Sequence, residues 1–380
     1  MDQVRSNKKE QRTNFKLLWI ISIFMIIVYN SFHYGITANY TFTNWKLNVD
    51  IKVISDLFAI FGKLGVAIIV LITSYFLCNR DFNKDKSLDR VSRLFKLLWF
   101  FSWLFLIVNW LFRIVPFNAS VLLKMIFPFL YSEYWFISSY IFLVLLSPIL
   151  NLVIYRLNKR QLRAVMLFLL LFDAIIPLIL RGANSTLVNN HLFSFITLYF
   201  VAAYIRNFFD SDQQAIRYGK NLLGYGIGIN ILVTLVVNLI AIHTHNLFLF
   251  NLASLITIYS YKQFFSIITI ITAVGMFLIF KQARIKSNKF INFLSATALG
   301  VYLMSANPVM IKLMWGTNGW FRLADILHQS IGLAFGHILL NVLIFCPLIF
   351  MFCSILDYFR QKLFILITKV RSNKQTSKIL

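Results

Sequence analysis

The sequence predicts an all-α fold, a polytopic bundle of about ten transmembrane helices with both termini in the cytoplasm. Three observations carry that expectation. The chain is 59% hydrophobic with a mean hydropathy of +0.75, above the roughly half-apolar make-up of soluble domains. Its apolar residues gather in charge-bounded runs near the ~20 residues that cross a bilayer. Its 37 Lys and Arg, which give a net charge of +24, punctuate those runs and form no single basic surface, which argues against a nucleic-acid partner.

The runs lie at roughly 15–36, 60–78, 95–113, 134–155, 162–181, 191–206, 221–243, 264–281, 290–311 and 330–358. The first, which contains "LLWIISIFMIIVYNSFHYG" (Leu17 to Gly35), is long enough to span, and no small-residue cleavage site follows it, so it reads as a retained helix. The fourth opens with Tyr134 and Trp135, expected as interfacial anchors, and holds Pro148, expected as a kink. The stretch 246–261 is short and contains Asn, and reads as an outer re-entrant or interfacial piece. Cys78, Cys346 and Cys353 all fall in spans, two of them on one helix, so no disulfide framework is implied. The expected organisation is a basic cytoplasmic tail over 1–14, one transmembrane domain over 15–359 and a second basic tail over 360–380.

Ten spans put alternate connections on opposite faces. The two tails and the connections at 79–96, 156–163, 206–220 and 281–289 hold 28 of the 37 Lys and Arg. The opposite set, Lys46, Lys52, Lys63, Arg113, Lys124, Arg181, Lys262, Lys312 and Arg322, holds 9. The richer face is cytoplasmic by the positive-inside rule. Blocks such as "RLNKRQLR" and "KQARIKSNK" then read as topology signals and contacts to lipid headgroups.

The same topology puts all six histidines, His33, His191, His243, His245, His328 and His337, in the outer half. A one-sided supply of titratable groups points to chemistry or recognition there. No ligand spacing for a metal occurs, and no phosphate-cradling Gly loop or nucleophile elbow is present. Asp173, near mid-depth of the fifth span, is the most costly charge in the chain and is expected inside the bundle.

Polar residues inside apolar spans are costly and therefore informative. The fourth span reads "SEYWFISSYIFLVLLSPILN", which gathers Glu133, Tyr134, Trp135, Ser138, Ser139, Tyr140, Ser147, Pro148 and Asn151. It resembles the integral-membrane acyltransferase-3 family, in which Trp-Phe, small polar residues and a Leu-Leu-Ser-Pro run mark this helix. "FGKLGVAIIVLITSYFL" (Phe61 to Leu77), "FITLYFVAAYIR" (Phe195 to Arg206) and "INFLSATALGVYLMSANPVM" (Ile291 to Met310) are similar to the family's second, sixth and ninth helices. The resemblance implies an enzyme that uses a cytoplasmic acyl donor, commonly acetyl-CoA, to O-acylate a sugar of a lipid-linked or extracytoplasmic glycan. Glu133, Asp56, Arg113, Arg181 and Lys63, at or near outer helix ends, are then candidates to line a sugar-facing cleft, with Trp135, Ser138, Ser139, Ser305 and Asn307.

Two departures qualify that expectation. In its first helix the family carries an Arg, ten intervening residues and a His, held responsible for donor contact and for activating the sugar hydroxyl. The matching positions are Trp19 and Asn30. In the ninth helix the family often has His-Glu-His before the Pro, where Ser305, Ala306 and Asn307 precede Pro308. Asn is no general base, because its amide does not titrate near neutral pH. Lys16 and His33 lie one turn outward of the two motif positions and are the substitutes that the sequence offers, Lys16 for the donor and His33 for the base. Three functions compete: an O-acyltransferase acting on a surface polysaccharide, a catalytically degenerate relative that binds a glycan lipid or a partner enzyme, and a polysaccharide transporter or polymerase. Usage rich in Asn, Ile, Lys and Phe fits an AT-rich bacterial genome, hence a bacterial plasma membrane.

Overall fold

The computed structural model describes residues 2–39, 49–79, 84–131, 134–176, 191–209, 212–244 and 266–376. The 246–261 stretch, His245, Glu133 and Arg181 fall outside them, as does the side chain of His243. The described residues are helical and contain no strand. In chain order the helices are α1 (Asp2–Gly35), α2 (Val49–Phe58), α3 (Ile60–Leu77), α4 (Lys84–Phe112), α5 (Ala119–Ile126), α6 (Trp135–Arg156) and α7 (Lys159–Leu170). They continue with α8 (His191–Phe208), α9 (Asp212–Thr244), α10 (Ile267–Gln282), α11 (Lys289–Ser305), α12 (Pro308–Trp315), α13 (Ile331–Leu340) and α14 (Cys346–Thr376). Wide turns at Leu171–Ile175 and Asn341–Phe345 extend α7 and join α13 to α14.

Among the described residues six helical stretches are long and apolar enough to cross a membrane. The α11–α12 pair, bent by 81°, makes a seventh if counted as one span. The continuous ninth run expected from sequence is thus a broken helix. Pro308 has no N–H to donate, and the Asn307 side chain caps the new start by accepting from Val309 N at 2.9 Å. The basic tails are helical extensions of α1 and α14.

α1 runs through the middle, packed chiefly on α3 and α11. Its approach to α3 is close because α3 lacks side chains where the two meet: a Cβ on Gly65 would strike the Ser22 carbonyl, and one on Gly62 the Tyr29 ring. At one end Asn14 donates to the carbonyls of Phe280 (2.6 Å) and Ala283 (3.1 Å), pairing the last acceptors of α10. α6 is pinned by Asn151, which donates to Leu77 O at 2.9 Å and accepts from the Tyr199 hydroxyl at 2.7 Å, joining α3, α6 and α8. Pro148 frees the carbonyl of Val144, and the Ser147 hydroxyl takes it up at 2.8 Å. The Ser-Pro pair therefore sits inside a spanning helix without an orphan acceptor, and the helix runs unbroken from Trp135 to Arg156.

Asp173 is buried, 5% exposed, and accepts from the Ser194 hydroxyl at 2.6 Å. Asp173→Asn keeps an acceptor for Ser194, whereas Asp173→Leu leaves the hydroxyl unpaired at about 1–3 kcal/mol. Thermal unfolding in detergent is expected to rank the asparagine variant above the leucine variant, and the reverse order would show that this hydrogen bond is not what holds α7 to α8.

Candidate functional site

Two cavities lie end to end along α3, α6 and α11. The smaller, about 180 Å³, is lined by Tyr29, Asn30 and Tyr34 of the first helix, Gly62, Lys63 and Val66 of α3, Trp135 of α6, Tyr302 of α11, and Ile26, Ala306 and Ile311. It is smaller than the ~300–1,000 Å³ of a drug-sized site, so it takes part of an acceptor rather than the whole of one. Lys63 is buried, and its Nζ lies 3.9 Å from the centre of the Trp135 ring. His191 also packs on that ring, with ring centroids 4.3 Å apart. Aromatic faces beside hydrogen-bonding groups form a wall suited to a sugar, which has both apolar C–H faces and hydroxyl edges.

Of the residues singled out in the sequence, Asn30, Lys63 and Trp135 meet in this cleft. His33 does not line it and instead stacks on Tyr29 at 5.3 Å and lies edge-on to Tyr34 at 4.7 Å. Asn307 donates to the Tyr134 hydroxyl at 2.6 Å, and Ser305 bonds the Tyr302 carbonyl at 3.3 Å, so both hold the helix break beside the cleft. Ser138 is buried on α6, and Ser139 is half-buried beside it. Asp56, expected as a cleft charge, is instead ion-paired with Lys52 at 2.7 Å and accepts from Asn238 at 3.3 Å. Arg113 ends α4 in a left-handed conformation, φ 49°, and is exposed. Lys16 donates to Asn292 Oδ1 at 2.6 Å, tying α1 to α11, and Trp19 packs half-buried against the core.

The larger cavity, about 500 Å³, opens at the other end of the same three helices. Thr73, Phe76 and Leu77 of α3, Tyr140 and Val144 of α6 and Leu299 of α11 form its inner wall. Arg90, Arg93 and Lys96 of α4 and Arg360 of α14 stand at its basic side. Arg360 is paired with Asp357 at 2.7 Å, while Arg90, Arg93 and Lys96 make no ion pair among the described residues. The spacing of three sets these side chains on one face of α4. Cations gathered over an apolar chamber match a ligand with an anionic head and a less polar arm. Sequence reasoning had absorbed these residues into the topology signal; their i, i+3 spacing was the sign that they serve together.

The partition between the cavities is thin. From Val66 to Thr73 on α3 is seven residues, about 10 Å of helix, and from Trp135 to Tyr140 on α6 five residues, about 7 Å. Phe136 fills it, its ring 5.7 Å from Tyr140 on one side and 5.0 Å from Tyr302 on the other. At the floor of the basic cavity Tyr140 and Thr73 share a hydrogen bond of 3.0 Å.

Described residues that are helical throughout their regular structure, with six helices long and apolar enough to cross a membrane and two cavities along the same three helices, fit a multi-pass membrane protein. The family model described as an acyltransferase domain matches residues 13–358, nearly the whole chain, and the protein belongs to the acyltransferase-3 family. No curated protein and no solved structure matches it.

Proposed function

We propose that the protein is an O-acyltransferase of the bacterial plasma membrane that moves an acyl group, an acetyl group in the first instance, from an acyl-CoA in the cytoplasm to a hydroxyl of a cell-surface or lipid-linked polysaccharide. The observation that carries the reading is the end-to-end pair of cavities on α3, α6 and α11. In the proposed topology of ten spans with cytoplasmic termini, Arg90, Arg93, Lys96 and Arg360 belong to the cytoplasmic, cation-rich face, and Lys63 and Asn30 to the outer half. The donor's phosphates bind the cations, its pantetheine arm lies along Phe76, Leu97, Val144 and Leu299, and its thioester reaches the Thr73–Tyr140 floor. The sugar enters the cleft against Trp135, with the thin Phe136 partition between the two reactants.

Incubating purified protein with acyl-labelled acetyl-CoA and envelope glycan tests the reading: label on the glycan supports it. A second reading, a catalytically silent binder of glycan lipid or of a partner enzyme, is favoured by Asn30 at the position where the family has its His. Absence of labelled glycan alongside retained glycan-lipid binding would select it. The topology has its own check. A cysteine placed at residue 159 is expected to resist membrane-impermeant reagent in intact cells and to react after lysis; labelling from outside would reverse the orientation.

A further inference from the structure

Resting on the acyltransferase reading, we infer that Lys63 is the general base of the transfer. The reaction needs a group that accepts the hydroxyl proton, and Asn30 has none to offer. The described cleft wall carries four titratable side chains, Tyr29, Tyr34, Lys63 and Tyr302. A neutral phenol is a very weak base at oxygen, whereas a neutral amine carries an available lone pair. Lys63 is also buried, 9% exposed, with no carboxylate on the described wall of its cleft, and its Nζ faces the Trp135 ring. That ring face receives the positive charge that appears on Nζ as the proton arrives, an interaction stronger in a desolvated site than in water. His33, by contrast, stacks on Tyr29 and does not line the cleft.

In the step itself the Phe136 ring turns out of the partition so that the two reactants meet, and the sugar oxygen bonds to the thioester carbonyl carbon as its proton passes to Lys63 Nζ. The tetrahedral adduct then collapses, the C–S bond breaks, and sulfur leaves with the bonding pair as thiolate. The ammonium returns its proton to that thiolate. The products are the sugar ester and free CoA thiol, with Lys63 again an amine.

The test compares four variants of the full-length protein in detergent, with labelled acetyl-CoA and glycan acceptor. Lys63→Met and Lys63→Arg are both expected to lower kcat at least a hundredfold, the size of effect that general-base catalysis supplies, with the KM for acetyl-CoA changed less than threefold. Arginine keeps the charge but accepts no proton, so an active Lys63→Arg variant would show a cation that binds rather than a base and would overturn the inference. The double variant Lys63→Met with Asn30→His is expected to regain at least tenfold over Lys63→Met, because an imidazole then stands in the same cleft; this rescue is not expected of a purely structural loss. No rescue, together with a Lys63→Met protein that has lost acetyl-CoA binding, would assign Lys63 to folding and overturn the inference. A hundredfold loss in His33→Ala beside an active Lys63→Met would move the base to His33. A wild-type protein that transfers nothing would overturn the acyltransferase reading itself.

Discussion

The double variant Arg90→Gln with Arg93→Gln is expected to need at least a hundredfold more acyl-CoA to reach half its maximal rate, with kcat within about threefold of wild type. Both guanidinium groups line the basic cavity and neither makes an ion pair among the described residues, so each is available to a phosphate. A hydrogen bond to a charged group contributes about 1.5–3 kcal/mol, and these side chains, partly open to water, belong at the lower end of that range. Two such losses total about 3 kcal/mol, a little over a hundredfold at 1.4 kcal/mol for each factor of ten. The outer cleft keeps its lining, so the chemical step should proceed once donor is bound. Arg156→Gln with Arg163→Gln removes two basic-face cations that do not line the cavity and serves as the control. An equal rise in KM from both pairs would mean that the donor senses only general surface charge, and an unchanged KM would remove the donor from this cavity.

Gly62→Val is expected to reduce transfer to the acceptor at least fiftyfold while leaving acyl-CoA binding within about twofold. A Cβ at this position would lie 2.5 Å from Cδ1 of Tyr29, closer than carbon atoms approach, so the Tyr29 ring has to move. That ring is part of the cleft wall and is stacked on His33 at 5.3 Å, so it moves within a packed surrounding. The cleft is only about 180 Å³, and a displaced phenol ring takes a large part of it. Overpacking of this kind costs typically 1–3 kcal/mol of stability, which the protein tolerates if the remaining helices stay packed. Equilibrium binding of acetyl-CoA monitors that integrity independently. The additional substitution Tyr29→Leu frees the space again and is expected to recover part of the acceptor activity; an active Gly62→Val protein would place the acceptor elsewhere.

Much of the architecture was legible because each helix is written locally. Among the described residues the apolar runs fall on helices, and the Ser147 hydroxyl takes up the carbonyl that Pro148 frees. The break before α12 was less legible: Asn307 and Pro308 form a helix-start signal, but an apolar run on either side hid it. The site was half legible. Asn30 and Trp135 stood out by resemblance, and Lys63 by being a charge near a helix end. Their convergence depends on α1, α3 and α6 packing together, which no local pattern encodes. The partners of Asp56 and Lys16 were hidden for the same reason: Asn238 and Asn292, which engage them, lie 182 and 276 residues away in the chain. The cations of α4 carried two messages at once, orientation in the membrane and a shared helical face, and only the first is visible in a count of charges.

The central claim is that one protein passes an acyl group between two cavities that face opposite sides of a membrane. It is tested most directly in sealed, inside-out vesicles that carry the protein and enclose a glycan acceptor, with acyl-labelled acetyl-CoA supplied only to the outer solution, against the cytoplasmic face. The account predicts labelled glycan inside the vesicles while the CoA moiety stays outside, and no labelled glycan when the donor is supplied only from the opposite face. Label reaching the glycan equally from either face, or none reaching it while both substrates bind, would contradict it.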